Sequence, residues 1–177
     1  NIANLYMTTD LNMDTAVAGT IVGTYWFLML IGRFIGAAIG GHVSSKTMLI
    51  ATTSIAAIFV ICAIFLPQTM VNMPVFRSDI SFGMTKVPIN ILLLILCGLC
   101  TSVMWGAIFN LAVEGLGKHT AAASGIFMMM VCGGGVLPLL QGWIADNFGF
   151  LNSYYVVLIG IIYMFIYATI GSKIKTK

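Results

Sequence analysis

Apolar runs of roughly 20 residues, each long enough for an α-helix to cross a hydrocarbon core about 30 Å thick, recur along this chain between short polar segments. Nothing else in the sequence constrains the fold as strongly. Lipid cannot hydrogen-bond a backbone, so only helices and closed barrels span it. Barrel strands would alternate polar and apolar residues over about 10 positions, and no such alternation recurs here. Only 7% of the 177 residues are charged, against about a quarter in soluble domains, and the mean hydropathy is +1.05. The chain is therefore read as an all-α, multi-spanning membrane protein.

Residues 1–8 (NIANLYMT) read as the end of a helix. Five spans follow at about 16–41, 47–66, 88–112, 120–143 and 153–170. The second stops at Pro67, and Pro88 suits the first turn of the third. Residues 68–87 form the longest predicted loop, and ADNFGFLN separates the last two spans. With the first helix completed, this makes six. The sequence opens on Asn1 with no basic segment before its first apolar run, so no signal peptide is expected and the start is read as lying inside a longer protein.

Lys and Arg in short loops set orientation. Arg33, Lys46, Lys118, Lys173, Lys175 and Lys177 fall on one side, and Arg77 and Lys86 on the other. The first group, and the C-terminus with it, is assigned to the cytoplasm, and Tyr154 and Tyr155 to an outer aromatic belt. The basic residues form no cluster, which excludes nucleic acid as a partner. Cys62, Cys97, Cys100 and Cys132 lie within apolar runs and read as small core residues. No catalytic motif, metal-ligand set or phosphate loop is present, so neither an enzyme nor a bound cofactor is expected.

Polar and helix-breaking residues concentrate in the first, third and fourth spans, predicting an inner set lining a cavity; the second and fifth read as lipid-facing. In the first span, Gly32, Gly36 and Gly40 recur every four residues and leave a groove for another helix. Arg33 beside them either snorkels to the interface or pairs with a carboxylate to hold a gate, with Glu114 as the best partner. Tyr25, Trp26 and Trp105 lie mid-span, with Thr101 and Cys97 on the Trp105 face. Rings that stack on sugar CH faces, with hydroxyls and amides beside them, suit a sugar pathway; helix packing is the competing reading. Asn110 and Gln141 face a partner helix or an aqueous cavity. Gly133–Gly135 and Pro138 weaken the fourth helix at mid-membrane, as in transporter binding sites.

Here the residues resemble a known family. YWFLMLIGRFIGAAIG is similar to the eighth helix of the fucose–galactose–glucose:proton symporters of the major facilitator superfamily. VMWGAIFNLAVEGLGKHTAAASGIFMMMVCGGGVLPLLQGWIAD resembles their tenth and eleventh helices, and the likeness covers nearly the whole chain. It implies a C-terminal six-helix bundle, with residues 1–8 ending helix seven and the five spans being helices eight to twelve. The sequence departs from the family pattern at Gly106, where a proline is usual, and in AAAS at 121–124. The resemblance implies an inner-membrane hexose or deoxyhexose importer working by alternating access, with the proton as coupling ion. Its N-terminal half, as partner, would hold the acidic coupling residues. Tyr25, Trp26, Thr101, Trp105 and Asn110 are the expected sugar contacts. A carrier of another small polar solute, or a self-contained membrane scaffold or assembly subunit, is the alternative.

Overall fold

The computed structural model describes residues 2–76, 82–131 and 133–172. Its elements in chain order are α1 (Ile2–Thr9), α2 (Thr15–Ile39), α3 (Ser45–Phe65), β1 (Met70–Phe76), β2 (Phe82–Pro88), α4 (Ile89–Val113), α5 (Thr120–Met130), α6 (Gly133–Phe148) and α7 (Phe150–Ile166). A 3₁₀ turn, Gly117–His119, leads into α5, and a π-helical turn, Tyr167–Gly171, ends α7. Five stretches among the described residues are long and apolar enough to cross a bilayer, counting Gly117–Phe148 as one. Arg77, Asp79, Cys132, Lys173, Lys175 and Lys177 lie outside the described residues.

Local chemistry sets the helix starts. Asp14 caps α2 by accepting from the Ala16 N–H at 2.8 Å, and Ser44 caps α3 by accepting from Thr47 at 3.2 Å. Each side chain satisfies one of the donors that a first helical turn leaves orphaned.

Helix α4 is the spine. One of its faces packs with α3 and α7 around Leu49, Ala56, Val60, Leu94, Met104 and Ile161. Another closes a second core with α1, α2 and the strands, around Met7, Ile21, Met73, Val75, Val87 and Ile91.

Three expectations change. The predicted loop at 68–87 holds an antiparallel hairpin, with Met70 opposite Pro88 and Phe76 opposite Phe82. Val71, Met73 and Val75 alternate toward the core, but Pro74 disguised the period-two signal; it sits on the exposed face. Between the last two spans there is no eight-residue loop. Helix α6 runs to Phe148 and α7 starts at Phe150, because Gly149 turns the chain at φ 94° and donates its N–H to Ala145 at 3.0 Å. Only glycine adopts this conformation cheaply.

In the fourth span α5 ends at Met130 and α6 begins at Gly133, at the glycine run expected to weaken it, whereas Pro138 lies inside α6. Lacking an N–H, a proline disturbs the turn before it. Burial within this chain differs between the spans. Helix α3 is well buried against α4, whereas α5 and α6 are the most exposed of the spans among the described residues. Tyr154, assigned to an aromatic belt, is buried in the α3–α4–α7 core; Tyr155 is exposed.

Candidate pathway along helices α2 and α4

The close approach of α2 to α4 builds the site. Gly32 lies against the Leu99 backbone and Ser102 of α4, and Gly36 lies against Val103. Gly40 makes no such contact and ends the helix, so the groove is two glycines deep. Gly98 supplies the reciprocal notch on α4: a Cβ there would stand 2.9 Å from the Tyr25 carbonyl oxygen and 3.0 Å from its ring. The sequence reading did not single Gly98 out, although a glycine in an otherwise bulky apolar helix was its signal.

Across this contact the Tyr25 Oη and Thr101 Oγ1 are 3.3 Å apart and share a hydrogen bond. Trp26 meets the Tyr25 ring edge-on at 5.7 Å and is 59% exposed. These three candidates lie together, but they line neither of the two cavities that Asn110 borders.

Trp105 and Asn110 lie about one and two and a half turns further along α4. Trp105 is 46% exposed and meets Phe127 of α5 edge-on at 5.6 Å. Its other surroundings are a cavity of about 500 Å³ between α2, α3 and α4, which Arg33, Ser45, Ser102 and Asn110 also line. The Asn110 amide donates to Ser45 Oγ at 3.5 Å. Ser45 was missed because the second span was read as starting at about residue 47, which left it in the loop. Cys97 does not share the Trp105 face; it is buried toward the Ala56 carbonyl on α3. Each four-residue step on a helix drifts by about 40°, so 97, 101 and 105 turn successively from α3 to α2 to the cavity.

Arg33 and Glu114 are not joined. Among the described residues Arg33 has no ion-pair partner, and Glu114 lines a second cavity of about 650 Å³ with Lys46 and Ser172. Gly40, Ser45 and Asn110 border both cavities, so the second adjoins the first on the side of the α2–α3 turn and Ser172. Lys46 itself donates to the Thr169 carbonyl at 3.3 Å, tying α3 to the π-helical turn that ends α7. Pro138 is exposed on α6, and Gln141, half-buried, makes no hydrogen bond among the described residues. Neither is brought to the α2–α4 site.

Residues 1–173 match the family profile of the Major Facilitator Superfamily. The chain belongs to this superfamily. It is similar to the glucose/galactose transporter of Brucella abortus biovar 1, with 30% identity over 152 residues, or 86% of this chain and 32% of that protein. A putative glucose/galactose transporter of Helicobacter pylori strain J99 is 27% identical over 168 residues, covering 92% of this chain and 37% of the relative. The crystal structure of the superfamily transporter FucP in the outward conformation superposes with a TM-score of 0.78 at 20% identity, over 98% of this chain and 39% of that one. The chain thus spans about a third of the length of the curated relatives it matches. These matches bear out the resemblance carried by GRFIG, EGLGKHT and GGGVLPLLQG. The superfamily relatives are transporters, not enzymes.

Proposed function

We propose that this chain is the C-terminal half of a proton-coupled importer of a hexose or deoxyhexose that works by alternating access. The observation that supports this reading most is the α2–α4 cavity. It sets an exposed indole, Trp105, beside a guanidinium, an amide and hydroxyls in a chain similar along most of its length to glucose/galactose transporters. A pyranose offers apolar CH faces to an indole and a ring of hydroxyls to the Asn110 amide and the Arg33 guanidinium.

In this reading an N-terminal half completes the cavity wall and supplies the carboxylates that carry protons. The two halves rock about a site near the bilayer midplane. The distribution of basic residues favours a cytoplasmic position for the end with Lys46 and Lys118, and in this reading the two adjoining cavities belong to the inner stretch of the pathway.

Radiolabelled hexose uptake by the full-length carrier, with and without a proton gradient, tests the proposal. Uptake is expected to fall when the gradient is collapsed and to be competed by glucose, galactose or fucose. Absence of uptake for every hexose refutes the sugar assignment.

The indole's role has its own test. Replacing Trp105 with alanine removes the stacking surface and is expected to raise KM roughly tenfold, the scale of one aromatic contact. Trp105→Phe retains a ring for both stacking and the Phe127 contact, and should recover most of that loss. Equal KM for the two variants would mean that Trp105 serves packing alone.

A further inference from the structure

The β1–β2 hairpin does not stay at the end of the bundle from which it springs. Its Phe76 N–H donates to Thr24 Oγ1 on α2 at 2.9 Å, and the Phe76 ring stacks on Phe27 at 4.5 Å with the planes 4° apart. Thr24 is nine residues into α2, about 13 Å from its first turn at 1.5 Å per residue. A seven-residue strand spans about 23 Å, so β1 is long enough to reach that depth from the end of α3. Met73 and Val75 are buried on the way, against α1, α2 and α4.

Strand backbone at such depth persists only where protein or water satisfies it. The ladder with β2 satisfies one edge, and Thr24 receives the Phe76 donor. The Thr24 hydroxyl is buried and used twice, since it also donates to the Thr20 carbonyl at 3.0 Å. The two contacts of the hairpin, at Thr24 and Phe27, bracket the two residues between them, Tyr25 and Trp26.

We infer that the hairpin positions the substrate pathway: Thr24 and Phe76 fix the rotation and height of the α2 segment that presents Tyr25 to Thr101 and holds the exposed Trp26 beside it. This rests on the sugar-carrier reading for the identity of the ligand, but the seating of the hairpin does not. Thr24 and Phe76 are positioning residues, which touch no sugar themselves. Without the hydroxyl at 24, the Phe76 N–H loses its acceptor and the clamp loosens.

The test uses the full-length carrier. Thr24→Val, close in shape but without the hydroxyl, is expected to raise KM for the transported hexose about tenfold, the cost of one buried hydrogen bond, with Vmax per molecule at the membrane unchanged. Thr24→Ser keeps the hydroxyl and should restore KM. A substrate-independent measurement accompanies it: with 5-fluorotryptophan incorporated, the Trp26 resonance, assigned by its loss in Trp26→Phe, should shift in Thr24→Val and in Phe76→Ala but not in Thr24→Ser. A wild-type carrier that takes up no hexose refutes the sugar reading, and the fluorine spectrum then decides the positioning role alone. Wild-type KM in Thr24→Val, an unmoved Trp26 resonance, or failure of serine to rescue overturns the inference.

Discussion

Gly32→Ala is expected to lower the thermal midpoint of the detergent-solubilised carrier more than alanine at any other glycine of the α2 groove, and Gly32→Leu to prevent accumulation of folded protein. A Cβ at Gly32 would collide with Ser102 Oγ and stand 2.7 Å from the Leu99 carbonyl oxygen and 3.1 Å from the Leu99 Cα. The serine could rotate, at the expense of its 2.9 Å hydrogen bond to Leu99. The Leu99 backbone cannot move without α4. The helices must therefore part, and overpacking of this kind costs about 1–3 kcal/mol for a single added carbon.

In lipid there is no hydrophobic force to offset the separation, because association there relies on close packing and hydrogen bonds. Gly36 supplies the internal comparison. Its neighbour is Val103 Cγ2 at 3.1 Å, a side-chain atom able to give by a few tenths of an ångström, so Gly36→Ala should shift the midpoint much less. The loss should also reach the pathway. Tyr25 and Thr101 meet about two turns from Gly32 along the same contact, so uptake by whatever Gly32→Ala protein reaches the membrane should fall as well. Equal midpoints for the two alanine variants would show that the α2–α4 contact is looser than this geometry.

The spans were legible because bilayer thickness dictates their length, and polar stretches, Pro67 and Pro88 marked their ends to within a few residues; the caps Asp14 and Ser44 emerge from the structure. The hairpin was not legible. Alternation over Val71, Met73 and Val75 is short, and Pro67 and Pro74 read as loop signals; only contact with α2 makes the strands worth forming. The same holds within the site. Spacing brought Tyr25 and Thr101 out as candidates, and the structure joins them, because each lies on the face that its own glycine neighbours, Gly32 and Gly98, bring close.

Arg33 and Glu114 looked complementary because both are charged and near the same end. Yet pairing depends on the rotation of one helix about the other, which a single sequence does not encode. Gly149 shows the reverse case: a lone glycine carried the whole turn, and the polar residues around it suggested a loop where helix continues.

The second large effect is expected at Asn90, at the start of α4. Its side chain is fully buried, and the Nδ2 donates to the carbonyls of Ala63 at 2.5 Å and Leu66 at 3.0 Å. Those carbonyls belong to the last turn of α3, where the helix has no further N–H groups to offer and Pro67 prevents continuation. The Oδ1 makes no hydrogen bond among the described residues, so within them the side chain acts as a donor.

That asymmetry fixes the order of variants. Asn90→Leu fills the space but leaves two buried acceptors unmet, a loss of about 1–3 kcal/mol. Asn90→Asp is nearly isosteric but should be worse, about 3–5 kcal/mol, since an ionised carboxylate has no donor and would face two carbonyl oxygens in a dry site. Because the neighbouring Ile89 N–H bonds Thr69 at 2.9 Å, loosening this corner frees the base of the hairpin as well. Thermal unfolding of the solubilised carrier should therefore rank wild type above Leu and Leu above Asp, with proteolysis near Pro67 increasing in the same order. An Asp variant as stable as wild type would mean that Asn90 does not close the end of α3.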